Sequence, residues 1–73
     1  MALYEQVKDH ISRKIQEGIW RAGDRLPSEN ELVTQFGISR MTVNRALREL
    51  TEQGRIVRVA GVGSFVAEEK PQS

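Results

Sequence analysis

Cysteine is absent from these 73 residues, and histidine occurs once, as His10. The chain therefore has no disulfide framework and no thiolate metal site, and a lone imidazole is a poor metal ligand set. Aromatic side chains are few, with two Phe, one Trp and one Tyr, so any core must be mainly aliphatic. No apolar run approaches the ~20 residues of a membrane span, and no signal-peptide pattern opens the chain. The expectation is a soluble, cytoplasmic protein. No internal repeat or low-complexity tract is present. The length allows one domain, and a chain this short buries only about 60% of the surface its unfolded form exposes.

What the chain does have is a patterned stretch from Ser28 to Leu50, SENELVTQFGISRMTVNRALREL. Ser28 is placed to cap a helix start, with Glu31 three residues later to complete a reciprocal capping box and Pro27 harmless just before it. Leu32 and Phe36 share one face, Gly37 supplies a left-handed stop, Ile38 points back to the core and Ser39 caps a second helix. On that helix Val43, Ala46, Leu47 and Leu50 fall on one side. Met41, Arg45 and Arg48 fall on the other, with Arg40 and Thr42 at the leading end. Two short helices joined by a tight turn, the second displaying arginines, form a helix-turn-helix pattern suited to reading DNA.

Leu3, Val7, Ile11 and Ile15 recur every four residues, with Tyr4 beside them, and predict an amphipathic first helix ended by Gly18. His10 lies at the margin of that stripe, where a structural role is expected. In the loop GIWRAGDRLP, Ile19 and Trp20 are expected to anchor over the edge of the core, although Trp20 also suits a binding surface. After Leu50 the helix is expected to run on to Gly54. RIVRVA and SFVA then flank Gly61-Val62-Gly63, a pattern for a β-hairpin. Glycines at such a tip let backbone approach a sugar-phosphate edge, although a hairpin turn needs glycine in any case.

The formal net charge of +1 is unevenly placed. Residues 1–37 hold five basic and six acidic side chains. Residues 38–65 hold Arg40, Arg45, Arg48, Arg55 and Arg58 against Glu49 and Glu52, a surplus of five minus two, or +3. This puts positive charge on the second helix of the pair and on the hairpin, where a phosphate backbone would be met. The plainer alternative is an ordinary solvated face with arginines paired to Glu49 and Glu52.

LPSENEL, FGISRMTVNRALREL and GVGSFV, in that order, resemble the DNA-binding domain of GntR-type bacterial regulators, and within them the HutC-like subfamily. The resemblance covers about residues 3–67. It implies a mainly α fold with a small β wing, a winged helix-turn-helix of three helices, a hairpin and one short extra strand at Arg25-Leu26. It also implies that Ser39, Arg40, Thr42 and Asn44, at the start of the second helix of the pair, meet DNA. The face count adds Met41, Arg45 and Arg48, and the wing adds Arg58, Gly61 and Gly63. Ser28 and Asn30 stand at a helix start, where free amides and the dipole favour phosphate. Many GntR-like sequences carry arginine where Asn30 and Asn44 stand and a polar residue at Ala60, and Arg55 replaces a more usual aliphatic. The base preference of other members therefore does not transfer.

From the same resemblance, residues 1–67 are expected to be a DNA-binding domain and residues 68–73 the start of a linker to a C-terminal domain absent from this chain. That domain would dimerise and bind a small effector; RMTVNRALREL and GVGSFVA look most like histidine-utilisation regulators, which implies urocanate. The expected partner is a two-fold symmetric double-stranded DNA operator, bound by a homodimer of the longer protein, with the present chain monomeric and no cofactor of its own. The contrasting possibility is a winged-helix module that binds another protein. An enzyme is not expected, since no nucleophile-base pair, metal set or phosphate loop is discernible, and Glu29 and Glu31 read as helix-start acids.

Overall fold

A computed structural model describes residues 2–68. Helices α1 (Leu3–Gln16), α2 (Glu29–Phe36) and α3 (Arg40–Glu52) are followed by strands β1 (Ile56–Val59) and β2 (Gly63–Val66). The strands pair antiparallel, Ile56 opposite Val66 and Val59 opposite Gly63. Arg25 bridges to Phe65 on the free edge of β2, and the Leu26 amide donates to the Ser64 carbonyl at 2.8 Å, giving the short third strand. The arrangement is a winged helix-turn-helix. Of the expected linker, residues 69–73 lie outside the described residues.

Local sequence explains the boundaries. The Ser28 hydroxyl accepts from the Glu31 amide at 3.1 Å, and Ser39 accepts from the Thr42 amide at 3.2 Å, so each helix of the pair starts on a serine cap. The return half of the first cap differs from the expected box: the Ser28 hydroxyl lies 3.4 Å from the Glu31 carboxylate. Gly37 closes α2 at φ +64, a left-handed conformation that disfavours side chains with a Cβ.

The core is built on α3. Val43, Ala46, Leu47 and Leu50 are buried and meet Val7 and Ile11 of α1, Leu32 of α2, Ile38 of the turn, and Ile56 and Val66 of the hairpin. Burying each of the larger aliphatic side chains contributes about 1.5–3 kcal/mol. The expected α1 stripe is shorter than its periodicity suggests. Val7 and Ile11 are fully buried, Ile15 is partly so, and Leu3 is 53% exposed. Tyr4, one residue further on, packs against the cluster in place of Leu3. Ile19 is likewise exposed, so the loop is held by Trp20 alone of that pair.

His10 packs edge-on against Trp20 and Phe36, with ring centroids 6.1 and 5.3 Å away. Burial, then the nearby Lys14 charge, hold its imidazole below the usual 6.5, against a smaller opposite pull from Asp9. The unfolded chain therefore binds this proton more readily than the folded one. Stability should be fully present above the unfolded value and fall as pH drops through the window beneath it. Urea midpoints measured between about pH 7.5 and 5.5 should fall for the parent and change less for His10→Phe; equal slopes would contradict this role for His10.

Candidate nucleic-acid interface

The outer face of α3 is polar because its inner face is spent on the core. Met41 is 83% exposed, and Arg40, Arg45 and Arg48 are exposed beside it. Thr42 and Asn44 are half-buried on opposite flanks. The structure thus brings the expected recognition-helix residues to one end and one side of a single element.

Each flank of α3 is held by a carboxylate. On the α1 side, Glu49 accepts from Lys8 at 2.8 Å and from Arg45 at 3.2 Å. The Lys8 hydrogen bond, together with that from Arg45 and against an opposing effect of burial, holds the Glu49 carboxyl below its ordinary range. Arg45 also lies over the Tyr4 ring, 4.0 Å from its centroid. An open cleft of about 490 Å³ is lined here by Tyr4, Met41, Thr42, Arg45, Arg48, Glu49 and Glu52. On the wing side, Asn44 Nδ2 donates to Glu29 Oε2 at 3.0 Å, and Arg58 approaches the same oxygen at 3.7 Å. Asn30 accepts from Arg40, which ties the start of α2 to the start of α3. The Ser39 and Thr42 hydroxyls are 2.9 Å apart.

A second cleft, about 470 Å³, opens between the start of α2 and the wing, with Ser28, Glu29, Arg58, Gly61 and Gly63 in its lining. Arg25 joins them. Its Nη2 donates to the Val62 carbonyl at 3.1 Å, and its guanidinium lies 3.3 Å from where a Cβ on Gly63 would stand. Gly61, at φ +76, has open space at its own Cβ position, as an approachable tip requires. Gly63 does not: its free side is covered by Arg25, so its smallness serves the wing's own packing.

The charge map needs one correction. Arg55 contributes to the +3 surplus but stands at the base of β1, lining a groove with Trp20, Arg21 and Gln53 away from the wing tip. Arg25 takes its place beside the expected interface. Sequence spacing does not single out Arg25, since it lies outside all three quoted motifs; the implied extra strand at Arg25-Leu26 was the available signal. Nor does spacing reveal Glu29 as a bridge between α3 and the wing, because its partners are 15 and 29 residues away. Among the described residues, no group of His, Cys, Asp and Glu is placed to hold a metal ion, and no helix is long and apolar enough to cross a membrane.

A family model described as bacterial regulatory proteins, gntR family, matches residues 3–66. The chain is 67% identical over 70 residues to a histidine utilization repressor of Klebsiella aerogenes, covering 96% of this chain and 29% of that protein. It is 61% identical over 71 residues to the histidine utilization repressor of Pseudomonas aeruginosa, covering 97% of this chain and 28% of that one. The chain thus spans under a third of the length of these curated relatives. Among solved structures, AraR(DBD) in complex with operator ORR3 superposes with a TM-score of 0.90 at 43% identity, over 92% of this chain and 81% of that one. YtrA from Sulfolobus acidocaldarius, a GntR-family transcription factor, does so with a TM-score of 0.86 at 36% identity, over 96% and 73%.

The contacts separate two outward arginines that helical periodicity treats alike. Arg48→Ala should leave unfolding free energy within about 0.5 kcal/mol of the parent. Arg45→Ala, which uncovers the Tyr4 ring, should cost about 0.5–1 kcal/mol. Equal urea denaturation curves for the two variants would mean that the Tyr4–Arg45 contact is not kept in solution.

Proposed function

The chain belongs to the GntR family of bacterial regulatory proteins, and from that membership we propose that it binds double-stranded DNA sequence-specifically as the reading domain of a transcriptional repressor. The observation that carries the proposal is the outward face of α3 beside a wing tip. Arg40, Met41, Arg45 and Arg48 stand clear of the core there, with Gly61 open at the tip. An α-helix of this kind fits the major groove, where arginine bridges two guanine acceptors and asparagine complements adenine. Arg40, Asn44, Arg45 and Arg48 are the proposed base and phosphate contacts, with Met41 and Thr42 against base edges. Ser28, Asn30 and Ser39 at the two helix starts, and Arg58 and Gly61 in the wing, meet the sugar-phosphate backbone, while Gly63 leaves room for the Arg25 guanidinium beside them.

Residues 1–67 form the DNA-reading unit, and 68–73 begin a linker to a dimerising, effector-binding domain. The naming of two similar proteins as histidine utilization repressors supports control of histidine-utilisation genes; urocanate as effector rests on the resemblance of RMTVNRALREL and GVGSFVA alone. Action in the cytoplasm on a two-fold symmetric operator follows from the same proposal. One winged helix covers one half-site, so the longer protein gains affinity by placing two on the same duplex about 34 Å apart or a multiple of that.

Sedimentation and salt titration test this together. The chain alone should sediment as a monomer at micromolar concentration and bind a half-site duplex weakly. With about four phosphates neutralised, the log–log salt slope should be near −4. Arg40→Ala should lower affinity about tenfold, the loss of one bidentate contact. Binding indifferent to salt and to duplex sequence would overturn the proposal and favour a protein-binding role for α3.

A further inference from the structure

Asn44 is half-buried on the wing flank of α3, and its side-chain amide donates to Glu29. A glutamate carboxylate at neutral pH offers oxygens only, whereas a carboxamide offers a donor end and an acceptor end. The Glu29 contact therefore fixes which way residue 44 is turned. Its NH₂ group must face Glu29, and its carbonyl oxygen must point the other way. One N–H is taken by the carboxylate; the carbonyl and the second N–H remain. Those two groups are the ones that adenine complements in the major groove, through its N6 amine and N7.

We propose that Glu29 is a specificity-determining positioning residue: it locks the Asn44 carboxamide in one orientation, so that residue 44 selects adenine at one base pair. The inference rests on α3 lying in the major groove, as proposed above. Glu29 is suited to the task by its place at the first turn of α2, where an acidic side chain is favoured by the helix dipole. It also approaches Arg58 of β1, so one carboxylate oxygen joins the starts of α2, the flank of α3 and the wing. The orientation of a reading side chain and the placement of the wing are thereby coupled through a residue that need not touch a base.

Glutamine at position 29 has the same shape but can donate as well as accept, so it tolerates either orientation of Asn44. Selection from a pool of randomised duplexes should be carried out with the parent chain, Glu29→Gln, Asn44→Ala and the double variant. The parent should enrich a motif with an adenine preferred about 5- to 100-fold at one position. Asn44→Ala should abolish that preference, Glu29→Gln should reduce it at the same position while leaving the rest of the motif, and the double variant should match Asn44→Ala. A parent that enriches no sequence overturns the DNA proposal and the role of Glu29 with it. A parent motif whose adenine is lost in Asn44→Ala but kept at full strength in Glu29→Gln overturns the role of Glu29 alone. Affinity lowered evenly on every duplex by Glu29→Gln, with the preferred base unchanged, would mark Glu29 as merely structural and also overturn it.

Discussion

Helix α3 must be the centre of the core and, in the function proposed here, the outward binding surface at once. Among the described residues there is one core cluster and no second layer to share those tasks. The burial of Val43, Ala46, Leu47 and Leu50 settles the division. With that stripe packed on α1, α2 and β1, the remaining side of α3 has one possible direction, outward. Core packing and display are therefore a single constraint, and a change in the stripe that rotated the helix would also re-aim its arginines.

The flanks of α3 add a second level of control. Glu49 holds Lys8 and Arg45 on the α1 side, and Glu29 holds Asn44 and approaches Arg58 on the wing side. Individually, partly exposed ion pairs contribute little to stability, about 0–1 kcal/mol. In the proposed function their value lies in orientation, because a side chain already held in place loses less conformational freedom when it meets a ligand. Among the described residues, Arg48 and Met41 have no such support. The surface thus combines fixed side chains on its margins with free ones at its centre.

Most of the fold was legible in the residues themselves. Serine caps at Ser28 and Ser39, the glycine stop at Gly37 and the 3–4 spacing on α3 all act within one or two helical turns, where sequence distance and spatial distance agree. The hairpin followed from β-branched runs around Gly61-Val62-Gly63 for the same reason. Legibility failed where partners lie far apart in the chain. The choice of Tyr4 over Leu3 at the end of the α1 stripe depends on where α3 crosses it, and so does the pairing of Arg45 with that ring. The cover that Arg25 places on Gly63, and the span from Glu29 to Asn44, join elements whose relative placement periodicity does not encode. Arg55 shows the converse: it is near the wing in sequence, yet at the wrong end of the strand to serve its tip.

The central claim is that the outward side of α3 and the wing tip together form the binding surface. Backbone amide shifts of the labelled chain, followed by NMR as duplex DNA is added, test it most directly. The account predicts changes concentrated at Arg40–Arg48, at the α2 start around Ser28–Asn30 and at Gly61, with the Trp20–Arg21–Arg55 groove unaffected. Changes centred on that groove, with α3 silent, would contradict it.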